Sequence, residues 1–222
     1  MNLASMNGMD QYNYLVGKNL EQLTIQELNV IHLQYRDEVV SINGRYLTSC
    51  LHDLTQTLSA SFINKRTAQY VPLMTSFAIL DQIGSLYHIQ GNNPRATNGI
   101  KRALQSFTTM VADEIEDLVT LRHGLFHDGS LTSRNQNTGT DVIFRMATDT
   151  NVVIQRPTVP WNGVYDDDLT NHITLINLKA FQTLVLAVLD SCLSELEQGR
   201  LQCTISDCRE FYYKFLFSRP RS

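Results

Sequence analysis

The sequence is poor in cysteine, in long apolar runs and in positive charge. Its four cysteines are Cys50, Cys192, Cys203 and Cys208. They show neither C-x-x-C spacing nor the density of a disulfide framework, which predicts reduced thiols in a cytosolic protein. No stretch reaches the roughly 18 apolar residues of a membrane span, and no charged, apolar leader opens the chain. These absences predict a soluble, cytoplasmic protein with no membrane partner.

Charge and motif content exclude further classes. The 222 residues include 18 Lys and Arg against 22 Asp and Glu, a net charge of −4. A dedicated nucleic-acid-binding domain usually has a basic face, so any contact with nucleic acid is expected to be local. The chain has no Gly-rich phosphate loop, Walker sequence or G-x-S-x-G elbow. Its 43% hydrophobic and 18% charged residues predict one globular domain spanning residues 1–222.

Helical periodicity dominates the apolar pattern. Helices are predicted over about 24–40, 46–66, 72–89, 98–107, 113–129, 177–198 and 204–217. The first of them begins at a capping box, Thr24-Ile-Gln-Glu27. Weak alternation at 141–146 and 151–156 predicts a β-hairpin inside an insertion of about 133–175. The predicted fold is therefore mainly α, an up-and-down helical bundle with a small β-hairpin insertion.

Two later segments allow more than one interpretation. In Asp166-Asp167-Asp168 the adjacent carboxylates point in different directions, so a solvated turn is favoured over a metal site. The predicted C-terminal helix, 204–217, has five aromatic residues within seven positions, at 211–213, 215 and 217. Such residues either pack on the core of their own chain or form a contact between subunits.

The ionisable chemistry is densest in Asp113–Gly129. Apolar residues recur there at helical spacing, so the segment should bury one face, and Gly129 provides a stop signal. Arg122, His123 and His127 fall in its last turns. Histidine titrates near neutral pH and serves as a base or an acid, and arginine stays charged and matches phosphate geometry. The segment therefore combines groups that can transfer protons with a group that can bind an anion.

Arg122 and His127 enclose four residues, and this R-x4-H spacing resembles the signature of the HEPN superfamily of helical bundles. The run Leu-Arg-His-Gly-Leu-Phe-His also looks like an L-R-N-x-L-x-H variant found in bacterial members, with His123 at the position of the Asn. The resemblance implies an endoribonuclease that cuts RNA without metal or cofactor, with Arg122 and His127 as catalytic residues. His123, which departs from the family's Asn, is a third catalytic candidate because a histidine can also act as base or acid. The resemblance also implies a site completed across a homodimer.

The same resemblance implies a biological setting. Many HEPN proteins are toxins or antiviral effectors, and others are inert. A role in stress response or antiviral defence is therefore expected, with an antitoxin or a nucleotidyltransferase as a possible partner. The alternative within the family is a non-catalytic module for dimerisation and protein interaction.

Supporting residues can be predicted around the motif. Asp81 shares a helix face with Phe77, Gly84 and His88, where an unpaired charge is costly. One prediction is an ion pair between Asp81 and Arg122 or a motif histidine. The alternative is that Asp81 is exposed or paired locally. Gly84 on that face allows another helix to approach closely. A small basic patch of Arg95, Lys101 and Arg102 is either a solvated face or a site for the RNA backbone.

Two other interpretations of the motif remain open. His123 and His127 are spaced i, i+4 and could bind zinc, but the sequence lacks the Glu of H-E-x-x-H and an obvious third ligand, so no metal is assigned. The histidines and Arg122 could instead simply complement the dipole of a helix C-terminus. On the resemblance to HEPN proteins, a metal-independent endoribonuclease is the function expected.

Overall fold

The computed structural model describes residues 2–34, 39–41, 44–92 and 96–220, and for 39–41 it describes the backbone alone. The α-helices are α1 Gly8–Leu15, α2 Ile25–Leu33, α3 Cys50–Ser61, α4 Tyr70–Leu86, α5 Gly99–Phe107, α6 Ala112–His123, α7 Leu178–Glu197 and α8 Cys208–Phe215. The strands are β1 Val39–Ser41, β2 Arg45–Ser49, β3 Tyr87–Ile89, β4 Thr132–Arg134, β5 Asp141–Ala147, β6 Ile154–Gln155, β7 Ile173–Asn177, β8 Leu201–Cys203 and β9 Leu216–Pro220. A π-helical turn, Gly124–Asp128, follows α6.

The strands form three sheets, so the prediction of a mainly α bundle with one hairpin is wrong. Helix accounts for 53% and strand for 16% of the structure. One sheet has the order β1-β2-β9, a second pairs β3 with β8, and the third has the order β4-β5-β7-β6. The fold is mixed α/β.

The predicted hairpin within residues 133–175 is also wrong. β5 and β6 do not pair with each other, because β7 lies between them. β5 runs parallel to β7 from Ile143↔Ile173 onward, whereas β6 is antiparallel to it. β7 has no separate signal in the sequence, because its short apolar run leads directly into the strong helical pattern of α7.

Two predicted helices contain strands at one end. The segment predicted as helix from residue 46 begins as β2, and the one predicted to continue to residue 217 ends as β9. These strands pair antiparallel, with Leu47 opposite Ser218. The first helix ends at Leu33 rather than near residue 40. Pairing between residues so far apart in the chain leaves no local pattern in the sequence. The predicted helices therefore extended into residues that form β2 and β9.

Local signals in the sequence are confirmed. In the capping box the Glu27 amide donates to Thr24 Oγ1 at 3.3 Å, and the Thr24 amide donates to Glu27 Oε2 at 2.8 Å. Gly129 ends the motif helix in the left-handed region, with φ 63°. Gly84 does allow a close helix approach, since an added Cβ would lie 1.8 Å from the Gly99 carbonyl oxygen.

One apolar core joins the helices to the sheets, with α4 packed against α3, α5 and α7. His32 is buried in it, with Nδ1 2.9 Å from the Tyr87 hydroxyl, and burial lowers the pKa of His32 to about 3. The C-terminal aromatic segment is divided between core and surface, because Phe211 is buried whereas Tyr213 is 79% exposed. None of the described helices is long and apolar enough to cross a membrane.

Candidate functional site

The motif lies where α6 passes into the π-helical turn. Arg122 and His123 are the last residues of α6, and His127 lies within the turn. The Gly129 amide donates to the Gly124 carbonyl, five residues earlier, and its positive φ ends the turn. Such turns recur at functional sites because they redirect the side chains of a helix.

Neighbouring elements hold this turn in place. β4 passes so close that a Cβ on Gly124 would lie 2.8 Å from the Ser130 carbonyl oxygen and 3.0 Å from that of Thr132. The Ser130 amide donates to the Gly124 carbonyl at 2.9 Å. From α4, the Tyr70 hydroxyl donates to the Leu125 carbonyl at 3.3 Å. Glycine is therefore required at position 124, and the turn is supported from two sides.

The three motif side chains lie side by side at the surface. The rings of His123 and His127 are stacked, with centroids 5.3 Å apart and planes 20° from parallel. The Arg122 guanidinium carbon lies 5.0 Å from the centroid of the Phe126 ring. His127 is exposed, and Arg122 and His123 are half-buried. None of the three side chains forms an ion pair or hydrogen bond with another described residue.

Positive charge is concentrated around His123. Partial burial lowers the pKa of His123, and the nearby charges of Arg122, His127 and Lys101 lower it further, in that order. A cavity of about 220 Å³ adjoins this histidine, lined also by Lys101 and Asn137. His123 is therefore predominantly neutral at pH 7 and can accept a proton beside a cationic surface.

Of the predicted basic patch, Lys101 is the member that reaches the motif. It forms an ion pair with Glu116 of α6 and lines the cavity beside His123. Arg102, next to it on α5, does not line that cavity, and its Nε is buried without a hydrogen-bond partner in the described chain. Arg95 lies outside the described residues.

Asp81 does not form the ion pair that was hypothesised. It is half-buried, and no ion pair within 4.0 Å joins it to Arg122 or His127 in the described structure. It lies against the first residue of α5 instead, where a Cβ on Gly99 would be 2.4 Å from Asp81 Oδ1. A helix N-terminus favours a carboxylate, which accounts for this charge without a partner from the motif.

The stacked histidines are poorly arranged for binding one metal ion. Their lone pairs lie in the ring planes, and in two nearly parallel rings these run side by side rather than converging on a point about 2 Å from each nitrogen. No group of three or more His, Cys, Asp or Glu side chains that could hold a metal occurs among the residues described.

The sequence analysis missed a second concave site at the other half of α6. A pocket of about 510 Å³ lies between this helix, the sheet of β4 to β7 and the loop after β6, and Trp161 lines it. Arg156 Nε donates to Asp117 Oδ2 at 2.6 Å, and its Nη1 lies 3.2 Å from Asp113 Oδ2. The sequence signal for this pocket was Trp161, the sole tryptophan, which lies in a loop with Pro and Gly. Tryptophan is seldom left fully in solvent, so its presence in a loop indicates that the loop packs against the core.

Comparison with known proteins adds no assignment to these sites. The chain matches no protein-family model, no curated protein and no solved structure.

Proposed function

We propose that this protein is a metal-independent endoribonuclease of the HEPN type, with a site completed across a homodimer. The observation that supports it is the grouping of Arg122, His123 and His127, unpaired with other described side chains, in a chain of net charge −4. Cationic groups of this kind attract a phosphate. The proposal rests on this local arrangement and on the R-x4-H resemblance, not on a bundle fold.

The chemistry assigns one role to each side chain. Neutral His123 takes the proton from a ribose 2′-hydroxyl, and the oxygen attacks the adjacent phosphorus. The Arg122 guanidinium stabilises the charge that develops on the phosphate oxygens. Protonated His127 gives its proton to the departing 5′-oxygen as the P–O5′ bond breaks, leaving a 2′,3′-cyclic phosphate.

The surface beside the motif supports the homodimer. Phe126 is 39% exposed and Tyr70 is 46% exposed, and Tyr70 is tied to the motif turn. Aromatic residues of this kind are enriched in protein interfaces. A second copy packed here would bring a second Arg122 and His127 to one RNA strand. Activity in stress response or antiviral defence, with an antitoxin or nucleotidyltransferase partner, follows from the resemblance.

The test is cleavage of single-stranded RNA by the purified protein with and without EDTA. Expected results are cleavage that resists chelation, products with 2′,3′-cyclic phosphate ends and loss of activity in His127→Ala. If the protein cleaves no RNA, the enzyme proposal is wrong. If EDTA abolishes cleavage, the mechanism without metal is wrong.

A non-catalytic interaction module is the second candidate, and the exposed Phe126 beside Arg122 favours it. In that case Phe126→Ser should abolish self-association or partner binding, and His127→Ala should leave it intact. Cleavage that is lost in His127→Ala while dimerisation persists supports the enzyme over the module.

A further inference from the structure

The pocket at the N-terminal half of α6 has the features of a ligand site. We call it the Trp161 pocket and define it by Asp117, Asn135, Asp141, Trp161, His172 and Thr174. Its volume of about 510 Å³ lies within the roughly 300–1,000 Å³ of small-molecule sites. It adjoins the smaller cavity beside His123, since Glu116 and Asn137 line both.

Two mostly buried side chains in this pocket each have a hydrogen-bonding group with no partner in the described chain. Asn135 is 5% exposed, and its Oδ1 accepts from the amides of Asn137 and Thr138 at 2.9 and 3.1 Å. Its Nδ2 has no acceptor among the described residues. Thr174 is 2% exposed, and its hydroxyl likewise makes no hydrogen bond with the described chain. Both side chains line the pocket, and these two polar atoms are not sealed off from solvent. A ligand with acceptor atoms in the pocket would therefore suit these two donors.

The charge of the pocket is negative. Asp113 and Asp117 share the single cation Arg156, whereas Glu116 is paired with Lys101. Asp141 also lines the pocket and has no ion pair within the described structure. The carboxylates therefore outnumber the cations. A phosphate group would be repelled here, unlike at the motif.

Acceptor groups complete the pocket. The His172 Nδ1 lies 3.0 and 3.2 Å from the carbonyl oxygens of Val159 and Pro160, so in the neutral ring this nitrogen carries the proton. Nε2 is then an acceptor, as is the Asp141 carboxylate. Trp161 also lines the pocket with the 7% of its surface that is exposed, while its ring packs edge-on against Tyr165.

We infer that the Trp161 pocket binds a nucleobase as a free base or nucleoside, and not as a nucleotide. A base is flat, and it has N–H donors for Asp141 and His172 and acceptors for Asn135 and Thr174. A guanidinium or ammonium ligand satisfies the carboxylates but has no acceptor, so it leaves the Asn135 amide unsatisfied. Guanosine is the lead probe because its base has both donors and acceptors on its edges.

The sole tryptophan makes this inference directly testable in the full chain. Guanosine should quench Trp161 fluorescence saturably, and guanosine 5′-monophosphate should bind at least about tenfold more weakly because of its charge. Asn135→Asp keeps the Oδ1 acceptor of the turn but removes the Nδ2 donor, and should weaken guanosine about tenfold. Asp141→Asn, which keeps the side-chain shape, should have a similar effect.

The site does not depend on the cleavage proposal, so His127→Ala should bind guanosine as the unaltered chain does. Thermal unfolding checks that each variant is folded. If Asn135→Asp does not fold, the guanosine affinity of Asp141→Asn provides the test. Failure of guanosine, adenosine and cytidine to quench at millimolar concentration overturns the inference. Equal binding of the nucleotide, binding unchanged in both variants, or binding of agmatine in place of the nucleosides also overturns it.

Discussion

The two ends of α6 differ in how their charges are used. Acidic residues lie in its first turn and Arg122 and His123 in its last, so both ends complement the helix dipole. At the acidic end, Asp113 and Asp117 are joined to Arg156 from the sheet. At the basic end, the motif side chains have no such partner among the described residues. The basic side chains therefore complement the dipole without being tied to another described side chain.

Burial acts in the same direction at both ends. It is the largest cause of the raised pKa of Asp117, which the hydrogen bond and charge of Arg156 oppose, and it is the largest cause of the lowered pKa of His123. In both cases the neutral form is favoured, because a charge in a poorly solvated place is costly. The difference is that Asp117 forms an ion pair with Arg156, whereas the His123 side chain is unpaired among the described residues. Unpaired ionisable groups, rather than charged groups in general, therefore indicate the candidate site.

The largest expected effect is at the basic end. His127→Ala should lower the cleavage rate by about 10²–10⁴-fold, since it removes a positioned acid or base. Arg122→Lys should lose most of the activity too, because lysine keeps the charge but not the planar fork. Single-turnover cleavage of a labelled single-stranded RNA measures both.

His52→Ala is the matched control, since His52 is a half-buried histidine on α3, outside the motif. It should leave the rate unchanged. Mixing the Arg122→Ala and His127→Ala chains should restore part of the activity if the site is shared across the dimer. A fully active Arg122→Lys protein would contradict the assigned role of the guanidinium.

At the acidic end the expected effect is on stability. Arg156→Met leaves Asp117, which is 6% exposed, without its partner. The free energy of unfolding should fall by about 1–3 kcal/mol, less than for a fully buried pair because the Arg156 side chain is partly exposed. Urea unfolding at several pH values measures this change.

The pH dependence follows from the raised pKa of Asp117. A carboxyl group whose folded pKa lies above its unfolded value stabilises most below the unfolded pKa, about 4, and loses that contribution as the pH rises through the folded pKa. Removing Arg156 raises the folded pKa of Asp117 further. The loss of unfolding free energy in Arg156→Met should therefore be smaller at acidic than at neutral pH, and an equal loss at both would contradict this account.

Arg200→Met is the control, because it breaks a surface ion pair with Glu195. It should change the free energy of unfolding little at any pH.

These two ends also show what the sequence could predict. The helix end at Gly129 and the clustering of Arg122 with two histidines were predicted because each depends on residues near in the chain. The close approach at Gly84 was predicted from the lack of a side chain there, without its partner Gly99. The Arg156–Asp117 bond joins residues 39 positions apart, and β2 pairs with β9 across nearly the whole chain. Periodicity has no information on such partners, so the sheets and the Trp161 pocket were missed.

A smaller effect tests whether the ion pair between Lys101 and Glu116, in the middle of α6, limits RNA binding. Glu116 holds Lys101, so Glu116→Gln should leave this lysine available to the RNA backbone. In a His127→Ala background, affinity for single-stranded RNA should rise about two- to fivefold at low salt, and the gain should shrink as salt screens the charge. Fluorescence anisotropy measures it. Glu210→Gln, which frees Lys214 on α8, is the control and should have no such effect.

The smallest effect concerns the pKa of His123, which reports the local field directly. Arg122 lowers this pKa more than Lys101 does. Lys101→Met should therefore raise it, and Arg122→Met should raise it further, because each removes a positive charge that disfavours the imidazolium. NMR titration of the imidazole Cε1 protons measures both shifts, with Lys179→Met on α7 as a control for overall charge. If neither variant moves the pKa of His123 beyond the control, the charges do not act on this histidine as described, and its assignment as the neutral base loses its electrostatic basis.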